Sequence, residues 1–427
     1  MTLSWFSIVR LGLVQAALGA IIVLMTSTLN RLMVVELVLP ALLPGFLVAL
    51  HYGIQITRPR WGFRSDTGGN RTRWIIGGMA VLALGGIGGS LAIPVLQANF
   101  VLGLLISIGA YALIGLGVGA SGTSLLALLA TATEPRRRAA AATITWLMMI
   151  FGIAVTAGVV GSMLDPYSHA RLVSIVGTVS IGAVLLTALA VWGIERGVQA
   201  RREPDPMPFR QGLAEVWAEP EARWFTVFVF LSMTAYFMQE LILEPYAGLV
   251  FGFTPGQSTS LSGAQNGGVF VGMLIVGIAA TGLRIGALRS WVIAGCLGSA
   301  TALAVIAVLG QVALPYLVPA TVALGVFNGM FAVAAIGSMM RLAGEGRESR
   351  EGTRMGLWGA AQAIAAGFGG LLGAGLVDLL RSLTADAPAF GTVFFIEAAI
   401  FVVAAILALR VLSGRRTSHS FTEVPGE

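Results

Sequence analysis

Apolar runs long enough to cross a bilayer recur from one end of the chain to the other, and nothing else limits its fold so strictly. A helix needs roughly 20 apolar residues to span the hydrocarbon core. Runs of that kind fall at about 10–29, 39–56, 74–95, 100–130, 141–163, 172–193, 223–247, 262–282, 290–310, 314–338, 357–380 and 389–410. Lipid offers the backbone no hydrogen-bond partner, so such runs must bond internally as helices. The chain therefore reads as an all-α membrane protein with twelve transmembrane helices. Its 56% hydrophobic and 11% charged residues exclude an ordinary soluble domain. Trp5, Phe6 and Ile8 precede the first run as a short amphipathic lead-in suited to the bilayer interface. That run is too long for a cleavable signal peptide and lacks a small-residue cleavage site.

Charge sets the orientation. All 26 basic residues are arginine. With both termini cytoplasmic, all of them except Arg31, Arg171 and Arg381 fall on the inside, as the positive-inside rule asks. The net charge of +6 thus serves topology in an inner membrane, not nucleic-acid binding. Cys296 is the single cysteine, which excludes disulfides and cysteine metal clusters. No nucleophile elbow, phosphate loop or metal-spaced His/Cys/Asp set is present, so the expectation is a protein that is not an enzyme.

The longest polar stretch, 195–222, is read as a cytoplasmic linker between six-run bundles at 1–194 and 223–412, with a cytoplasmic tail at 413–427. Phe209, Leu213, Val216 and Trp217 recur there at helical spacing. They fit either a helix lying on the membrane or a plain linker. Arg60-Trp61-Gly62 after the second run is echoed by Arg284-Ile285-Gly286 after the eighth, and Glu134–Arg138 by Arg341–Arg354. Six plus six runs with corresponding loops is the plan of the major facilitator superfamily. The loop holding Gly62, Asp66, Gly69 and Arg71 resembles that superfamily's G-x-x-x-D-R-x-G-R-R signature, with Thr67 and Asn70 departing from it. Its glycines allow tight turns, and Asp66 is placed to cap or charge-pair near the next helix. Gly85 and Gly89, Gly115 and Gly119, and Gly369 and Gly373 form small-xxx-small faces, expected to pack within the bundle rather than between chains.

Ionisable groups at membrane depth mark sites, pairs or pathways. The first run ends in Ser27-Thr28-Leu29-Asn30-Arg31 with Glu36 beyond, and the seventh in Gln239-Glu240-Leu241-Ile242-Leu243-Glu244. Glu240 and Glu244 share a helical face, where two carboxylates repel or share a proton unless a cation intervenes. Arg31 is the available partner, giving an expected charge cluster of Arg31, Glu36, Glu240 and Glu244. Glu397, Asn328, Gln362 and Gln265-Asn266 read individually as packing hydrogen bonds.

The stretches Arg10–Leu37, His51–Met79 and Gln239–Gly252 resemble the PucC-type family, the light-harvesting-complex assembly branch of the major facilitator superfamily in phototrophic bacteria. The similarity runs over essentially the whole chain; Glu240 stands where that family leads one to expect aspartate. The resemblance implies an assembly factor that binds or delivers bacteriochlorophyll or a precursor. It also implies antenna polypeptides, chlorophyll synthase and the membrane-insertion machinery as partners, besides membrane lipids. Against that background His51, Tyr52, Glu240 and Glu244 are candidate pigment-binding residues. A neutral His51 imidazole could ligate the magnesium of a chlorin, or it could be a core histidine bonded to a carbonyl or to Tyr52. The competing function is a proton-coupled secondary transporter of a small solute, with Glu240, Glu244 or Glu397 as proton site. Walls rich in Ala, Gly, Leu and Val favour the large apolar ligand.

Overall fold

A computed structural model describes residues 3–57, 70–134, 137–195, 217–283, 285–312, 314–345 and 351–412. Twelve helices of a dozen residues or more lie within these. They are α1 (Trp5–Val23, prolonged by wide π turns at Leu24–Leu29 and Leu32–Glu36), α2 (Leu42–Ile54), α3 (Arg71–Ala98), α4 (Phe100–Ala132), α5 (Arg138–Leu164) and α6 (His169–Val191). After the polar stretch come α7 (Pro220–Phe251), α8 (Pro255–Val276, prolonged through Gly277–Gly282), α9 (Leu288–Val312), α10 (Leu317–Glu345), α11 (Glu351–Arg381) and α12 (Asp386–Val411). Eleven are long and apolar enough to cross a membrane. The second expected run is α2, only 13 residues long.

Side-chain caps start several of these helices. Ser4 accepts from the Ser7 amide, Asn99 from that of Leu102 and Ser168 from that of Arg171, relieving amides that lack a partner in the first turn. Asn99 alone separates α3 from α4, which makes those two helices a tight antiparallel pair. The α7–α8 corner joins a left-handed Gly252, φ +70°, to a Thr254–Gln257 capping box followed by Pro255. Each device ends one helix or begins the next.

The most extensive packing pairs occur in matched couples. In the first bundle they are α3–α4, α1–α5, α3–α6, α1–α6 and α2–α4; in the second, α9–α10, α7–α11, α9–α12, α7–α12 and α8–α10. The sixth couple, α5–α8 and α2–α11, joins one bundle to the other. One buried apolar cluster spans Leu3 to Ile194, with Leu241 joining it; another spans Phe225 to Leu412. Glycine lets the backbones touch: a Cβ on Gly272 would come within 2.0 Å of the Val326 carbonyl, and one on Gly329 within 2.0 Å of that of Val269. Gly85, Gly115, Gly369 and Gly373 likewise face Ala110, His51, Thr234 and Met238 of this same chain, so these small faces pack within it.

Gly62, Asp66 and Gly69 of the loop signature, and Phe209, Leu213 and Val216 of the expected surface helix, lie outside the described residues. Arg71 opens α3, where the Glu195 carboxylate receives the amides of Arg71 and Thr72 at 2.9 Å each. That helix start is therefore capped from the far end of the first bundle, in addition to Asn70.

Candidate functional site

The wide turns of α1 bring its polar end against α7 and α8. Such π turns leave backbone groups poorly paired and concentrate at functional positions. Here the Ser27 hydroxyl donates to Glu244 Oε1. The Asn30 amide donates to the Leu241 carbonyl at 2.7 Å, and the Thr28 and Thr259 hydroxyls meet at 3.1 Å. Thr26 stands beside Glu240, and Ser258 and Ser262 of α8 beside Glu244. Glu244 is 2% exposed, and Asn30 and Gln239 are buried with it.

Arg31 is buried at the edge of this nest. Its Nη1 pairs with Glu36 at 2.5 Å and its Nη2 donates to the Phe253 carbonyl at 2.7 Å. The expected cluster is thus divided: Arg31 has Glu36 as its ion-pair partner, while the two glutamates of α7 are met first by hydroxyls. Tyr167, in the α5–α6 turn, has its hydroxyl pushed up to about 12 by burial, with Glu36 raising it further and Arg31 opposing. It also bonds His169 Nδ1 at 2.9 Å.

Two carboxylates fasten the bundles together at the same end. Asp378, late in α11, receives the amides of Ala41 and Leu42 at 2.9 and 2.6 Å, at the start of α2. Asp165, just after α5, receives the Gly256 amide at 3.1 Å and the Thr254 hydroxyl, at the start of α8. Each places negative charge on a helix N-terminus. Because α5 matches α11 and α8 matches α2, the two caps occupy equivalent places.

His51 lies deeper, in α2. It is 1% exposed, its Nε2 faces the Gln55 amide nitrogen at 2.8 Å, and its ring edge meets Tyr52 with centroids 4.9 Å apart. Tyr52 continues across the bundle boundary to Phe237 of α7, 5.8 Å away, and Phe237 to Tyr236. Tyr52, Tyr236, Phe237 and Glu240 are only half-buried. In this arrangement His51 Nε2 is engaged by Gln55, and the aromatic side chains of Tyr52 and Phe237 lie beside it. Among the described residues no group of three or more His, Cys, Asp or Glu could hold a metal ion.

Ser258, Ser262, Asp165, Asp378 and Glu195 were not singled out from the sequence, and Ser27 was noted only as part of the polar end of the first run. The fourfold spacing of Ser258, Ser262 and Asn266, one polar face on an apolar helix, was the available signal. Asn328 and Asn266 are packing residues as expected, bonded to Ser299 at 2.7 Å and to the Ser262 carbonyl at 2.9 Å. Glu397 is not: it is fully buried, and neither carboxylate oxygen has a hydrogen-bond partner among the described residues.

A family model described as PUCC protein matches residues 28–416. The chain belongs to the PUCC protein family. A protein of Rhodobacter capsulatus named "Bacteriochlorophyll synthase 44.5 kDa chain" is 66% identical to it, with both chains covered over 100% of their length. "Protein PucC" of the same species and of Cereibacter sphaeroides are each 29% identical, over 95% of this chain and 92% of theirs. Among solved structures, a bacterial homologue of the human lysosomal transporter Spinster, inward-facing and occupied, superposes with a TM-score of 0.69. Its identity is 14%, over 95% of this chain and 96% of that one. A bacterial homologue of the drug peptide transporters PepT1 and PepT2 also gives 0.69 at 14% identity, over 95% and 98%. At that identity the likeness establishes the major facilitator fold and nothing about cargo. The synthase name corrects one expectation from the sequence. Absence of catalytic motifs was read as absence of any enzyme, and a full-length relative at 66% identity is named as a chain of one.

Proposed function

We propose that this PUCC family member serves the assembly of photosynthetic complexes in phototrophic bacteria, holding bacteriochlorophyll or a late precursor and passing it on. Antenna polypeptides and the synthase that makes the pigment are its partners in this reading. The observation that carries it is full-length identity of 66% to a protein named as a chain of bacteriochlorophyll synthase, alongside relatives at 29% identity named PucC. The half-buried wall of Tyr52, Phe237 and Tyr236 supports it, since flat macrocycles stack on aromatic rings. His51 and Gln55 act in this reading by fixing Tyr52, and Glu240 supplies the wall's polar group. The finer topology is also our proposal: twelve spans in the inner membrane, both termini cytoplasmic, and six-helix bundles at 1–194 and 223–412 joined by a cytoplasmic 195–222.

Purification in mild detergent from pigment-replete cells, followed by absorption spectroscopy, tests the reading. The wild-type protein should carry a chlorin. Tyr52→Ala and Phe237→Ala should lower pigment per protein several-fold, His51→Leu should lower it less, and His169→Leu should leave it unchanged. Wild-type protein free of chlorin, or full pigment in both aromatic variants, would overturn it.

A further inference from the structure

The nest around Glu244 has more oxygen than the protein's own protons satisfy. Glu244 Oε1 receives the Ser27 hydroxyl, while Oε2, on a side chain 2% exposed, has no hydrogen-bond partner. Ser258 stands beside this carboxylate, yet its hydroxyl donates to the Pro255 carbonyl at 3.2 Å. Ser258 and Ser262 thus bring two further hydroxyl oxygens to this carboxylate. Thr26 repeats the arrangement at Glu240, with its hydroxyl donating to the Ile22 carbonyl at 3.3 Å. The buried oxygens Asn30 Oδ1 and Gln239 Oε1 also lack partners. A buried carboxylate oxygen with no partner is costly in an apolar interior unless a positive charge sits on it.

The charges point the same way. Arg31 is the cation of the nest, and its ion pair is with Glu36. Glu244 feels the Arg31 charge, but the direct ion pair goes to Glu36, so among the described residues no cation sits on the Glu244 carboxylate itself. The carboxylates facing the nest are Glu36 on α1 and Glu240 and Glu244 on α7, with Tyr167 from the α5–α6 turn beside Arg31 and Glu36. One further positive charge at Glu244 would balance that side chain. A divalent ion there would leave an excess of its own.

We propose that Glu244, with Ser27 of α1 and Ser258 and Ser262 of α8, binds a monovalent alkali cation, sodium, that joins the first bundle to the second. An all-oxygen shell of one carboxylate with hydroxyls and backbone carbonyls suits a hard cation. The π turn at Leu24–Leu29 carries Ser27 to this carboxylate, at an irregular stretch of helix of the kind that lines ion sites in membrane proteins. Thr28 and Thr259, bonded to each other across the same boundary, form the adjoining wall. This site is separate from the aromatic wall at Tyr52 and does not depend on pigment being held there.

The test is thermal unfolding of the purified full-length protein, followed by intrinsic tryptophan fluorescence. Sodium chloride is compared with potassium and choline chloride at equal ionic strength, across a range of pH. A ligand that binds only the folded state raises the midpoint with its concentration, so sodium should raise it by about 2 °C or more above the choline control. Glu244→Gln and Ser258→Ala should abolish that rise, and Glu397→Gln should keep it. If Glu244→Gln does not fold, Ser258→Ala decides. The site is refuted if sodium and choline act alike on the wild type, or if both variants keep the full rise. It is equally refuted if acidification stabilises the protein with no sodium dependence at any pH, since the group at Glu244 is then a proton.

Discussion

At Arg31 one guanidinium serves two parts of the structure. It pairs with Glu36 on its own helix and holds the Phe253 carbonyl at the α7–α8 corner. Breaking a fully buried pair costs about 3–5 kcal/mol. Glu36 is 39% exposed and water can take over part of that loss, so about 1–2 kcal/mol is the better expectation here. Arg31→Ala should accordingly lower the accumulation of folded protein more than Arg171→Ala, whose half-buried side chain donates to the Pro166 carbonyl and has no ion pair among the described residues. Equal accumulation of the two variants would reduce Arg31 to a topological charge. The sequence marked Arg31, Glu240 and Glu244 as a group because they are charged residues near the ends of counterpart runs. It did not reveal which side chains meet, because the π turns of α1 change the angular positions beyond Val23. A period of 3.6 residues therefore misplaces Ser27 and Arg31 around the helix.

Helix ends explain most of what the individual helices do not. Every helix was legible as an apolar run, with boundaries off by as much as seven residues, as where 314–338 becomes Leu317–Glu345; α2 is the short one, where 39–56 condenses to Leu42–Ile54. The caps supplied from a distance were not legible. Asp378 reaches back to Ala41 and Leu42, and Asp165 forward to Thr254 and Gly256. Periodicity cannot predict pairings between residues that far apart in sequence. Asp165→Asn and Asp378→Asn should each cost about 0.5–2 kcal/mol, the usual worth of a cap with its charge. Because the two caps share no residue, the double variant should lose about the sum in a denaturation experiment. A double variant no less stable than either single one would show that the caps do not act separately.

Across the whole molecule, the matched packing couples make one bundle a counterpart of the other, with α5–α8 and α2–α11 as the seams. The arginines are the basis of the orientation proposed above. A reporter active only in the periplasm should be silent when fused after Pro206 and active when fused after Asp165. The opposite pattern would overturn the twelve-span topology. The likeness between the bundles fails at the nest, among other places: α1 ends in wide turns, whereas its counterpart α7 has none from Pro220 to Phe251, with Pro245 inside it. A regular helix advances about 100° per residue. Rewinding one of those turns into the regular form would swing everything beyond it by a comparable angle. Ser27, Asn30 and Arg31 would then leave Glu244, the Leu241 carbonyl and the Phe253 carbonyl in a single movement. The end of α1 is in this sense a screw thread, whose winding sets which of its polar groups meet α7 and α8.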